Sequence, residues 1–226
     1  MGTSEVVSES RAVSGFDQIS LRAQHYNELI ITQGDQESLT IEAPKDVLKR
    51  IETSVSQGRL MISLGGSFQD RVRDAVSTSL TRPTIKYRVT LKRLTRLEIF
   101  SMGRFGIGRL QTERLGLVFR GAGEVVIRDL RAQWLEVDFP GAGKMEIGGQ
   151  VTEQSVTLSG AGEYNSPKLQ SQRARLTING LGSATVWAEE ELDVTIRGAG
   201  KVSYYGTPRV RQRIAAIGRL TNLGKP

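Results

Sequence analysis

Few residues in this chain combine a type and a spacing suited to catalysis. Glu136 and Asp138 lie two apart, which on a strand places both carboxylates on one face, roughly 7 Å between Cα atoms. Paired carboxylates are the equipment of glycoside hydrolysis. One repeat away on either side stand Gly116, Val118, Ser155 and Thr157, so no acidic cluster forms around the pair. His25 is the single histidine and cysteine is absent. That excludes zinc sites of His/Cys spacing, thiolate chemistry and disulfides. No nucleophile elbow accompanies His25 to make a Ser-His-Asp triad. The chain therefore reads as non-enzymatic, with no cofactor and no metal.

Binding chemistry is better represented. Residues 82–109 hold eight basic side chains, Lys92, Arg93 and Arg96 among them, against one acid, Glu98. The net of +7 in this stretch equals that of the whole chain. Such a patch suits anionic polysaccharide, lipid headgroups or nucleic acid. Nucleic acid fits least, because no helix-turn-helix, RRM or OB signature accompanies the charge. Counted at a fixed offset, Pro167, Trp187 and Tyr205 fall at one position of three successive repeats, a platform for sugar rings or a protein partner. The plainer alternatives are a solvated face for the charges and corner packing for the aromatics.

These candidates are positioned by a repeat. Gly-Ala-Gly stands at 121–123, 141–143, 160–162 and 198–200, with Gly180-Leu181-Gly182 and Ser101-Met102-Gly103 as variants. The steps between copies are 20, 20, 19, 20 and 18 residues, the signature of stacked units. Apolar residues recur four and two places before each triplet and four and six after it, as at Leu117, Phe119, Val125 and Ile127. Apolar residues two apart mark strands with one buried face. A unit of about twenty residues is too short for a helix-backed βαβ unit of about thirty. It suits one coil of a parallel β-helix, so the fold class is an all-β solenoid with coils of 18–20 residues.

The triplet glycine at the third place, Gly103, Gly123, Gly143, Gly162, Gly182 and Gly200, is expected to need a positive φ in a crowded bend. The place after it reads Arg104, Glu124, Lys144, Glu163, Ser183, Lys201, which predicts a ladder of alternating charge.

Residues 1–13 are expected to be a flexible N-terminal segment. Residues 14–226 form one domain: irregular β coils over 14–64, an insertion over 65–83, then the GAG coils and a worn, arginine-rich C-terminal cap over 84–226. Asp46 is expected to cap a short helical turn over Asp46 to Ile51, and Gln57-Gly58 to turn a strand pair. No apolar run approaches the roughly 18 residues of a membrane span.

The stretches FDQISL (16–21) and ITQGDQESLTIEA (31–43), the GAG coils and the terminal region together resemble the head GIN domain of bacterial auto-transporter adhesins, over about Ser14 to Gly224. The resemblance implies a parallel β-helix-like fold and an exported or lipid-anchored bacterial protein. It brings no catalytic residues to carry over. The chain departs from it in showing neither leader nor lipidation cysteine. The expected role is a cell-surface or envelope interaction module, binding a glycan or an envelope protein, outside the cytoplasm with its leader removed; a cytoplasmic location is the other reading. The alternatives are a carbohydrate-active enzyme on a β-helix and a self-assembling scaffold, which would make the chain a homo-oligomer.

Overall fold

The computed structural model describes residues 5–23, 25–65, 84–215 and 217–226, so the insertion expected over 65–83 lies, apart from Gly65, outside the described residues. In chain order, β1 (Val6–Arg11), β2 (Gln18–Arg22), β3 (Tyr26–Gln33) and β4 (Ser38–Pro44) precede one helical turn, α1 (Lys45–Leu48). There follow β5 (Ile51–Ser56), β6 (Arg59–Leu64), β7 (Ile85–Leu91), β8 (Arg96–Ile99), β9 (Met102–Gln111) and β10 (Arg114–Phe119). Four long strands come next: β11 (Ala122–Phe139), β12 (Ala142–Leu158), β13 (Ala161–Ile178) and β14 (Ser183–Ile196). The chain closes with β15 (Gly200–Tyr205), β16 (Arg209–Ile214) and β17 (Gly218–Asn222).

The repeat is a solenoid of about six turns. Each long strand makes the second leg of one coil, bends, and becomes the first leg of the next. β11 and β12 stay in parallel register through Val125↔Met145 and Ile127↔Ile147, shift between Ile127 and Leu130, and resume through Val137↔Val156. Because each coil lies on its copy, like side chains stack inside. Phe105, Phe119 and Phe139 meet with centroids 5.7 and 5.1 Å apart. Burial alternates along most legs, as at Ile85, Tyr87, Val89 and Leu91 of β7, and the buried residues form one continuous core.

The triplet sits at the corner between the two main legs. A Cβ on Gly143, whose φ is +118°, would lie 2.0 Å from Gly123 O. Positive φ holds at Gly103, Gly123 and Gly143 but not at Gly162, Gly182 or Gly200, which corrects the expectation for half the set. At Gly162 and Gly200 side chains crowd the place instead: Phe139 Cε1 would be 2.8 Å from a Cβ on Gly162. The first glycine is excluded from growth by backbone throughout; at Gly160 a Cβ would meet Gly141 O at 2.1 Å.

The N-terminal region departs most from a simple succession of coils. β2 and β3 form a complete coil, but it is slotted between later pieces of chain. β2 pairs in parallel with β6 and β8, and β3 with β7 and β9. β4 and β5 run antiparallel to β7 and β6. Gln57 and Gly58, both at positive φ, turn β5 into β6 as the sequence predicts. Residues 6–11 are not a flexible segment: β1 pairs along its length with β4, and Val7 packs on the core. Serine and charge at four of its six places hide the strand in the sequence. Nor does Asp46 cap α1. Pro44 holds the N-cap position without a side-chain bond, and the Lys45 N–H donates to Glu5 O across the strand pair.

Gly143→Val is expected to destabilise the fold by about 3 kcal/mol or more, from φ strain added to backbone overlap. Ala142→Ser, at the exposed middle of the same triplet, should leave the melting temperature unchanged. Paired thermal melts check both.

Candidate binding surface

Register converts single residues into columns. Along the GAG corner Lys86, Glu28, Arg104, Glu124, Lys144, Glu163, Ser183, Lys201 and Arg219 stand in line. The ladder read from the sequence is therefore present and longer. Glu28 and Lys86 were invisible to a fixed period because their coils are out of chain order. Arg104 and Glu124 are 3.9 Å apart. A hydrogen bond to Glu146, with Glu163 and Glu124 nearby, holds the Lys144 ammonium above the ordinary lysine range.

The outer face of the first leg carries two further columns. One reads Arg114, Trp134, Glu153, Arg173, Glu191, Arg209. Its neighbour, two residues along, reads Arg96, Gly116, Glu136, Ser155, Arg175, Asp193, Arg211. Between them runs a groove of about 460 Å³ from Arg114 and Trp134 to Arg209 and Arg211. Within the first column charges are satisfied: Arg173 bonds Glu153, which keeps its guanidinium above the usual range, and Arg209 bonds Glu191. The Arg114 guanidinium lies 5.7 Å from the centroid of Trp134, whose ring is 39% exposed. Glu136, Arg175, Asp193 and Arg211 make no ion pair among the described residues. Two-residue spacing at the end of the first leg was the available signal for this groove, and an aromatic at only one coil concealed it.

The residues singled out from the sequence are distributed differently. Trp187 and Tyr205 are direct cross-strand partners, half-buried, at the far end of the second leg, where the coil turns through a short third leg toward the next first leg. Pro167 is not in line with them. β13 bulges between Asn165 and Gln170, so Gln170 stands opposite Trp187 and Gln150 opposite Gln170. The Trp187 Nε1–H donates to Glu189 Oε1 at 2.7 Å.

The basic stretch 82–109 folds into pairs rather than a patch. Arg88 bonds Glu42, holding that carboxyl below the usual range; Arg93 meets Asp17 at 3.1 Å, Arg96 meets Glu98 at 2.7 Å, and Arg109 meets Asp129 at 3.1 Å. Apart from Glu98, the partner acids Asp17, Glu42 and Asp129 lie elsewhere in sequence, which composition by window cannot see. Lys92 remains exposed beside Arg93. Glu136 faces Gly116 and Ser155, and Asp138 lies 3.6 Å from Arg120, so the two carboxylates have no acidic neighbour in register. His25 is buried at the corner beside Asn27, not on the surface.

Inside the solenoid, Tyr164 donates to Gln154 Oε1 at 3.0 Å, Gln154 Nε2 to Ser171 Oγ at 2.9 Å, and Ser171 to Trp187 O at 2.6 Å. This buried chain takes the place of the apolar column and is satisfied throughout. Burial pushes the hydroxyls of Tyr164 and Tyr87 above the ordinary tyrosine range. The Tyr87 hydroxyl has no hydrogen-bond partner among the described residues.

A family model described as "Putative auto-transporter adhesin, head GIN domain" matches residues 15–208. Among curated proteins none matches the chain. Solved structures with the same fold include a putative adhesin of Bacteroides fragilis (22% identity, 98% of each chain covered, TM-score 0.85). A putative lipid binding protein of Parabacteroides distasonis (19%, 98% of each chain, 0.75) and a putative adhesin of Parabacteroides merdae (14%, 98% of each chain, 0.67) share it as well.

Two outcomes test this account of the side chains. Glu124→Lys sets three cations in a row between Arg104 and Lys144; it should lower the melting temperature at low ionic strength and recover near 1 M salt, where screening acts within about 3 Å. Tyr87→Phe should raise stability by about 1 kcal/mol by removing an unsatisfied buried hydroxyl. A tyrosine whose folded pKa is raised contributes stability below its unfolded pKa of about 10 that is lost as pH climbs through the folded value. Urea titrations across pH 8 to 11 (roughly the window of tyrosine ionisation) should show the variant losing less stability on the alkaline side.

Proposed function

The chain belongs to the head GIN domain family of auto-transporter adhesins, and from that membership we propose that it is a non-enzymatic, cell-surface module that holds an extended glycan in the groove of its first-leg face. The observation that carries the reading is the groove itself. It crosses six coils with a half-exposed indole, Trp134, near one end and unpaired polar groups, Glu136, Arg175 and Asp193, along one wall. A repeating polymer meets a repeating row of hydrogen-bonding groups, while the ring offers an apolar face for a sugar. Carboxylates and guanidiniums alternate, which favours hydroxyl-rich chains over strongly anionic ones. The Trp187–Tyr205 pair at the far end of the second leg, continued by Gln170, is a second aromatic surface on a different side of the solenoid.

The test is a glycan array read in a salt series. Binding of neutral glycans that changes little with salt, and that falls about tenfold in Trp134→Ala, supports the groove. Loss in Trp187→Ala with Trp134→Ala unaffected moves the site to the far end of the second leg. Loss in a Lys92→Ser, Arg93→Ser, Arg96→Ser triple variant, with steep salt dependence, returns it to the basic stretch. Folded protein that binds no glycan under any condition overturns the glycan reading in favour of a protein partner.

A further inference from the structure

The two ends of the solenoid are finished in opposite ways. At the N-terminal end the outermost strand of the second leg, β1, places charge on its core side: Glu9 and Arg11 stand opposite the buried Ile41 and Leu39 and form an ion pair at 2.8 Å, while on the first leg the outermost strand is β5, which pairs with β6 alone among the described strands. α1 adds the buried Val47 and Leu48 beside it. Inward charge on an edge strand prevents another strand from continuing the core.

The C-terminal end has no such closure among the described residues. β16 pairs along one side with β14, and β17 with β15, and no described strand covers their outer sides. Their outer backbone N–H and C=O groups form an open edge. Core positions are only partly covered there: Val210 and Leu220 are half-buried and Ile214 is 38% exposed. The outward side chains of β16 are Arg209, Arg211 and Arg213. On the tier beneath they face Glu191, Asp193 and Thr195 in register. Arg209 bonds Glu191, whereas Arg211 and Arg213 make no ion pair among the described residues.

We propose that β16 is an acceptor edge for an extended strand of a partner protein carrying acidic residues at alternate positions. The backbone of such a strand would complete the open ladder, its apolar residues would cover Val210 and Ile214, and its acids would face Arg211 and Arg213. The rows beneath β16 carry this choice: Arg209, Arg211 and Arg213 stand on Glu191, Asp193 and Thr195 and have no such row on the other side among the described residues. A second copy is poorly suited. Head to tail, it would set β5 on β16, and β5 carries a single acid, Glu52, beside Ser54 and Ser56; tail to tail, it would set arginines against arginines.

The test uses the full chain and a synthetic peptide with the sequence of residues 189–197, the strand that β16 already accepts on its inner side. A control peptide has its four acidic residues replaced by lysine. Amide exchange of β16 is followed by NMR during each titration. The acidic peptide is expected to slow exchange in β16, and the lysine peptide to bind at least about tenfold more weakly. Arg211→Glu with Arg213→Glu should reverse that preference. Equal affinity for both peptides, protection that maps away from β16, or an unchanged preference in the double variant would overturn the proposal. Slowed exchange in β16 that rises with protein concentration in the absence of peptide would also overturn it, by assigning the edge to self-association. Glycan binding through Trp134 is measured separately, so each reading can fail alone.

Discussion

Parallel stacking in register is the constraint on which everything else depends. Once β11 lies on β12 with Val125 against Met145, each side chain has its counterparts in the coils above and below as neighbours, about 4.8 Å away. A column of one charge would repel along its whole length, a column of large side chains at a corner would collide, and a column of apolar groups inside would pack. The sequence obeys all three conditions. Charges alternate from Arg104 to Glu163, the corner is kept to glycine and alanine through the middle coils, and the phenylalanines stack.

The surface of such a scaffold is organised in columns. A flat leg offers parallel rows, which suit a partner that is itself long and repetitive. The groove beside Trp134 is of this kind, as is the open edge of β16: one extends along the stack, the other terminates it. The buried Tyr164–Gln154–Ser171 chain shows that polar groups also enter the interior, where they bond one another and remain out of reach of any ligand.

The repeat was legible because its period is nearly constant from Leu97 to Val202, so the solenoid, the corner and the charge ladder could all be read from spacing. What could not be read were the places where spacing breaks. The bulge between Asn165 and Gln170 removes Pro167 from the line of Trp187 and Tyr205 and substitutes Gln170. Arg93 and Arg88 find Asp17 and Glu42, acids 76 and 46 residues away in sequence, so a basic window became a set of pairs. Positive φ at Gly143 but not at Gly162 reflects a local choice between backbone and side-chain crowding, which the same three letters encode equally.

The slotting of β2 and β3 between later strands bears on how the molecule comes together. During synthesis these strands emerge first, yet both sides of their tier are supplied by residues 59–64 and 85–91 on one hand and 96–107 on the other. The coil of β2 and β3 therefore waits for more than seventy residues before it can be enclosed, and its long-range pairings form slowly. From β10 onward each coil needs only the one before it. Assembly from the middle outward toward the C-terminus is thus sequential, like winding a spool, whereas the other end closes as a single interlocked piece. Under mechanical load the same difference would let coils peel singly from the C-terminal side while the N-terminal block holds until several strands part together.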